Sequence, residues 1–270
     1  MPEGHVTHRL ARGLLGAFAG RTVRVSSPQG RFAGAAALLD GREFHSAEAY
    51  GKNLFLGIGD AGLVHIHLGL IGKLALDGWR ELANPATLRL RIETDEHVAE
   101  LRGPQTCSLI SPGERDAVMA ALGPDPLRAD AEPERGWLRL SRSQRPVASL
   151  LLDQRVAAGV GNIFRCEVLF RQRLHPLTPG ARVSRRRWGL IWGDFVDLMP
   201  PAVDSGRIDT VRPEHTPEAT GRAPRVDRHG GEVYVYRRPG MACLVCGQPV
   251  RAREFEARNL YWCGRCQRSR

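Results

Sequence analysis

The chain has 270 residues, 42% hydrophobic and 25% charged, a balance that suits a globular protein with a sizeable core and leaves room for two domains. Thirty-nine basic against 29 acidic residues leave a net charge of +10, which points to a polyanionic partner. The lack of any run of 18 apolar residues argues against a membrane span or membrane partner. Acidic Glu3, with no small-residue cleavage site after an apolar stretch, argues against a secretory leader. The expected setting is therefore intracellular, in the cytoplasm or on the nucleoid, where disulfides are rare. The expected state is a monomer.

The charge is unevenly spent. Only Lys52 and Lys73 are lysines, so arginine supplies 37 of the 39 basic residues. Residues 221–270 hold eleven arginines against four acids.

In chain order, Val6, Leu10, Leu14 and Phe18 step by four and predict a helix over 3–18. Short β-like runs follow at 22–26, 53–58, 63–67, 88–93 and 97–101, separated by Gly/Asp turns, which suggests a sandwich or flattened barrel. Ser111-Pro112-Gly113-Glu114 is a capping box with Pro at the first helical position, opening a helix to about 122. Gly123-Pro124-Asp125-Pro126 marks a domain boundary. Further helices are expected at about 133–140, 146–153, 161–174 and 184–198. Residues 200–232 are rich in Pro, Gly, Asp and Arg and read as a long connection. Alternating Val233-Tyr234-Val235-Tyr236 reads as a short strand. The fold class is α+β and multidomain. It comprises an N-terminal β-sandwich with a leading helix over 1–123, a helical domain with its linker over 124–232, and a cysteine-rich module over 233–270.

That module holds the most specific motif. Cys243 and Cys246 form one C-x2-C knuckle; sixteen residues later Cys263 and Cys266 form another. Two such knuckles at this separation predict one tetrahedral Zn2+ held by four thiolates, closed and therefore structural. Two redox pairs are the competing reading. Residues 248–262 are long enough for a hairpin carrying Arg251, Arg253 and Arg258, either a phosphate-backbone reader or a solvated basic surface. Cys107 and Cys166 stand alone and read as small buried hydrophobes.

Two further features carry chemistry. Pro2-Glu3 is a good helix start, and that accounts for both residues without any reaction. The chemical reading begins with removal of Met1, which frees the secondary amine of Pro2. A terminal amine has a pKa near 8, so part of it is neutral at pH 7 and able to attack a sugar C1′. Glu3 then stands beside it as a proton carrier. The second feature is the small-residue turn within 153–162, ending at Asn162. It is either an ordinary helical corner or a helix N-terminus suited to one phosphate.

Taken together, Met1-Pro2-Glu3-Gly4, Gly51-Lys52, His67-Leu68-Gly69-Leu70, the DQRVAAGVGN run and the four cysteines occur in one order. This arrangement resembles the formamidopyrimidine-DNA glycosylase/endonuclease VIII family across residues 2 to about 267. The resemblance implies a β-sandwich joined to a helix–two-turns–helix domain with a zinc finger. It implies a bifunctional glycosylase and abasic-site lyase acting on double-stranded DNA that contains a damaged base or abasic site. By the same resemblance Pro2 is the Schiff-base nucleophile and Glu3 the proton donor in base release. Lys52 looks like the proton donor for β-elimination, and Arg258 matches the arginine assigned to δ-elimination. Asn162 and Arg258 would grip the flanking phosphates. Leu70, on the turn after His67, would fill the gap left by the flipped base, and His67 would contact the DNA beside it.

Lysine suits the position at 52 because it can lose its proton when buried, whereas arginine stays charged. Residues 101–107 lack the Phe of the oxidised-purine enzymes, and Asn259-Leu260-Tyr261-Trp262-Cys263 looks like the endonuclease VIII branch. Oxidised pyrimidines are thus the expected lesions. Oxidised purines, a catalytically inactive DNA-binding homologue, and a zinc-ribbon protein of transcription or RNA processing are the alternatives.

Overall fold

A computed structural model describes residues 2–77, 85–227 and 231–268. The chain separates into two compact units, Met1–Ala121 and Leu122–Arg270.

The first unit opens with α1 (Gly4–Phe18), whose four-residue apolar step buries Ala11, Leu14 and Phe18. The strands are β1 (Arg21–Ser26), β2 (Arg42–Tyr50), β3 (Asn53–Ile58), β4 (Leu63–His67), β5 (Lys73–Leu76), β6 (Leu88–Glu93), β7 (Val98–Arg102) and β8 (Thr106–Ile110). Between β1 and β2 lies α2 (Ala33–Leu39), and α3 (Pro112–Ala120) ends the unit behind the Ser111–Glu114 capping box.

The strand order is β5-β7-β6-β1-β2-β3-β4-β8, antiparallel at every pairing. β1 belongs to both layers of this β-sandwich. Its residues 21–23 pair with β2 and its residues 24–26 pair with β6. The core between the layers holds Phe18, Phe44, Leu54, Leu56, Val64 and Leu101. Burying each large apolar side chain contributes about 1.5–3 kcal/mol before conformational entropy is subtracted.

Strands β3, β4 and β6 match their sequence expectation at both ends. The sequence reading missed α2, β2, β5 and β8. β2 hides because its burial does not alternate, with three consecutive half-buried residues at its centre. α2 has no side-chain N-cap to announce it.

The second unit is helical, with α4 (Pro133–Ser141), α5 (Val147–Leu150), α6 (Asn162–Arg171), α7 (Arg185–Ser205) and α8 (Pro217–Thr220). A hairpin of β9 (Val250–Phe255) and β10 (Arg258–Cys263) completes it. Helix and hairpin share one core, in which Leu151, Phe164, Trp188 and Phe195 meet Tyr234, Val250 and Leu260.

Three expectations are corrected here. The helix expected over 146–153 stops at Leu150, and turns follow. α7 runs past 198 through Pro200 and Pro201 before Gly206 closes it at φ +74°. Proline in a helix interior costs about 3 kcal/mol, and burial of Met199, Ala202 and Val203 offsets it. So the stretch read as one long connection is partly helical and includes α8; residues 228–230 lie outside the described residues.

The strand expected at 233–236 does not form. The backbone N–H groups of Tyr234, Val235 and Tyr236 instead donate to the buried carboxylate of Glu167 at 2.7–2.8 Å. The Thr210 hydroxyl donates to the same carboxylate at 2.6 Å. A ladder partner is thereby replaced by one side chain 67–69 residues away.

Candidate functional site

In the first unit, Pro2 is half-buried and Glu3 is fully buried at the N-cap position of α1. A helix-start role would have the Glu3 side chain capping the first turn, and it makes no such hydrogen bond. Met1 lies outside the described residues. His5, one turn along, is 5% exposed, and its pKa is pushed down to about 4. Burial is the main cause, followed by the positive charge at the start of the chain. His5 is therefore neutral at pH 7.

Lys52 sits in the two-residue turn joining β2 to β3, where Tyr50 pairs with Asn53. Gly51 has φ +58°, the left-handed value that such a turn requires at its first position. The charge of Lys52 reaches His67 at the end of β4. Burial first, and then Lys52, lowers the His67 pKa, while a hydrogen bond that His67 donates to the Gln105 side chain opposes them. Next to it, His65 Nε2 meets Asn53 Oδ1 at 2.9 Å, and Phe55 stacks on the His65 ring.

After His67 the chain makes a tight turn closed by Gly72 N–H to Leu68 O at 3.0 Å. Gly69 has φ +68°, and a Cβ there would lie 2.9 Å from Gln105 Cβ. That turn leaves Leu70 64% and Ile71 80% exposed. The turn thus presents two large apolar side chains next to each other to water. The sequence reading singled out Leu70 and missed Ile71 and Gln105; the flanking pair Gly69 and Gly72 was the available signal.

In the second unit the glycine-rich turn is stapled by Gln154. Its amide donates to Leu152 O and Val160 O and accepts from Gly159 N–H at 2.9–3.0 Å. Gly161 is the N-cap of α6 and offers no side-chain acceptor there. Asn162 is the first residue of α6, where the helix dipole is positive. Its Nδ2 donates to Asn259 O at 3.0 Å, and its Oδ1 accepts from the fully buried Arg165. Asn162 is thus oriented by Arg165 and tied to the hairpin one residue from Arg258.

The β9–β10 turn, Glu256-Ala257, has φ +51° and +57° without a glycine. Such backbone strain persists only where the surroundings hold it. Here the Ser149 hydroxyl donates to the Glu256 carboxylate at 2.7 Å, with Arg145 at 3.5 Å. The hairpin tip, and Arg258 with it, is thereby fixed to α5.

At the other end of the hairpin the sulfurs of Cys243, Cys246, Cys263 and Cys266 lie within 4.8 Å of one another. Cys243 and Cys266 are 3.9 Å apart, and Cys246 and Cys263 3.5 Å. Zn–S bonds of about 2.3 Å in a tetrahedron set sulfurs roughly 3.8 Å apart, so the donor set fits Zn2+. Each knuckle closes on a backbone turn, Gly247 N–H to Cys243 O and Gln267 N–H to Cys263 O. The other two cysteines are unlike these. Burial pushes the Cys107 thiol up to about 12 and the Cys166 thiol to about 11, so both stay protonated and inert.

Both units are similar to known proteins. Residues 1–107 match the formamidopyrimidine-DNA glycosylase N-terminal domain, and residues 122–212 match the H2TH domain of the same glycosylases. Endonuclease 8 1 of Mycobacterium tuberculosis is 46% identical over 99% of this chain and 100% of its own. A formamidopyrimidine-DNA glycosylase of an Acidovorax species is 32% identical over 100% and 99%. The MutM (Fpg) protein of Thermus thermophilus shares the fold at TM-score 0.77 and 24% identity, covering 98% of both chains. The Lactococcus lactis Fpg solved with abasic-site DNA does so at 0.80 and 21%, covering 99% of this chain and 100% of that one. The matched domains and relatives thus define a DNA glycosylase of base excision repair. The chain belongs to the formamidopyrimidine-DNA glycosylase/endonuclease VIII family.

Proposed function

We propose that this chain is a bifunctional DNA glycosylase and abasic-site lyase that removes oxidised bases, pyrimidines in preference, from double-stranded DNA. The observation that carries the reading is the fully buried Glu3, unused as a helix cap, directly after Pro2. The 46% identity to an endonuclease 8 supports the pyrimidine preference, as does a β7–β8 loop without Phe.

In this reading Met1 is removed and the neutral amine of Pro2 attacks C1′ of the damaged nucleotide. The glycosidic bond breaks, its electron pair leaves with the base, and Glu3 supplies the proton. The amine loses its proton, and the sugar ring opens as the C1′–O4′ bond breaks and O4′ takes a proton. The nitrogen lone pair completes an iminium that acidifies the C2′ hydrogen. Loss of that proton expels the 3′ phosphate by β-elimination, with Lys52 moving the proton. δ-Elimination at the 5′ side then follows, with Arg258 at the departing phosphate.

The second unit supplies grip. Asn162 and Arg258 hold the phosphates flanking the lesion, and Arg165 keeps the Asn162 amide turned. Leu70, joined by Ile71, fills the space that the flipped base vacates, which offsets part of the few kcal/mol of unstacking. Four thiolates hold a structural Zn2+ that fixes the hairpin base. The Lactococcus lactis Fpg has been solved with oxidised-pyrimidine DNA, which favours the same class of partner here.

A panel of duplexes, each with one oxidised base, tests the reading. Faster release and strand nicking at oxidised pyrimidines is the expected result. Faster action on 8-oxoguanine or formamidopyrimidines would move the chain to the purine branch. Salt-dependent binding without nicking at any lesion would make it an inactive homologue.

A further inference from the structure

A second basic feature lies at the end of α6 remote from Asn162. α6 spans ten residues, so its Arg171 end is about 15 Å from its Asn162 end. There a cavity of about 540 Å³ opens, lined by Arg171, Arg173, His175, Arg182, Arg187 and Arg268 among others. Among the described residues no Asp or Glu lines it.

Two of the guanidinium groups are spoken for. Arg171 donates to Asp194 at 2.8 Å and to Thr210 O at 2.7 Å, and Arg187 donates to Gln172 O. Arg173, Arg182 and Arg268 are exposed and meet no carboxylate among the described residues. Arg173 stands at φ +49°, a left-handed turn just after α6.

The surroundings add positive charge. Ser184, the N-cap of the 21-residue α7, also lines the cavity, so the positive end of that helix dipole faces it. Arg253 and Arg251 of β9 lie near enough to His175 to lower its pKa, after burial as the main cause. Gln267, next to Arg268 and the last cysteine knuckle, donates to Leu174 O at 2.9 Å and fixes this wall. No Phe, Tyr or Trp among the described residues lines the cavity.

We infer that this cavity is a second anion site, remote from the lesion-gripping residues, that takes consecutive phosphate groups. Three uncompensated guanidinium groups match phosphate oxygens two at a time. Cavity size and charge suit a chain of phosphates. The phosphates come either from the backbone of a DNA arm running along β9 or from a free polyphosphate. The inference goes beyond the proposed activity and does not depend on it.

The test uses the full chain with Arg173, Arg182 and Arg268 all changed to Gln, with zinc content and melting temperature checked. One arm measures inorganic tripolyphosphate binding by calorimetry. The other measures affinity for 12-bp and 40-bp undamaged duplexes at several salt concentrations. Both sources predict at least tenfold weaker tripolyphosphate binding by the variant. A DNA backbone source also predicts a salt slope lower by about two to three for the 40-bp duplex, with the 12-bp slope unchanged. Loss in the tripolyphosphate arm alone assigns the site to a free polyphosphate. Wild-type behaviour in both arms overturns the site. Should the triple variant fail to fold, Arg182→Gln alone is predicted to weaken tripolyphosphate several-fold, and an unchanged affinity overturns the site equally.

Discussion

The two units differ most in charge. The first holds thirteen basic and thirteen acidic residues and is neutral, while the second holds 26 against 16 and carries the entire +10. The neutral unit bears Pro2, Glu3 and Lys52; the cationic unit bears Asn162, Arg258 and the cysteine quartet. Proton transfer depends on pKa values that a strong local field would displace. Phosphate binding depends on that field and is salt-sensitive. In the proposed reading the two tasks fall on separate units, so that each environment suits its own chemistry.

Chelation gives the largest expected effect. Removing Zn2+, or changing Cys263 to Ser, withdraws on the order of 10 kcal/mol of metal binding from the hairpin. Because Cys263 and Leu260 share the helical core, the second unit should lose stability while the sandwich keeps its own. Hydrogen exchange on the two units checks this, and equal loss in both would break the division.

Next, Glu3→Gln should slow base release about 10²–10⁴-fold, the range for a general acid or base, and leave nicking of a ready-made abasic site largely intact. Lys52→Arg should do the reverse, slowing nicking while base release continues. Single-turnover assays on the two substrates separate them. Neither substitution should change the salt slope of binding.

The pH prediction comes from His5. Its pKa is near 6.5 unfolded and about 4 folded, so between those values the unfolded chain binds more protons. Stability should fall as pH drops from about 6.5 to about 4, by on the order of 3 kcal/mol. Urea midpoints across that range measure it, and His5→Gln should flatten the fall. Smallest of these, Arg258→Ala should weaken binding about tenfold and lower the salt slope by about one.

Much of the sandwich was legible because β3, β4 and β6 are continuous apolar or alternating runs bounded by turns. β2 was not, since its middle residues are evenly half-buried and carry no period. The cysteine quartet was legible from spacing alone, because two short knuckles leave the chain few ways to satisfy four thiolates. The partners of Asn162 were not. Arg165, Asn259 and the Glu256–Ser149 anchor join residues up to 107 positions apart. Val233–Tyr236 misled because alternation signals a strand only where a ladder partner exists, and here Glu167 took the backbone N–H groups.

The central claim is that the neutral unit forms a covalent bond to the sugar through Pro2. Incubating the protein with abasic-site DNA and borohydride should trap a reduced protein–DNA adduct. Peptide mass spectrometry should place the bond on the amine of Pro2. No adduct, or an adduct on Lys52, would contradict the account.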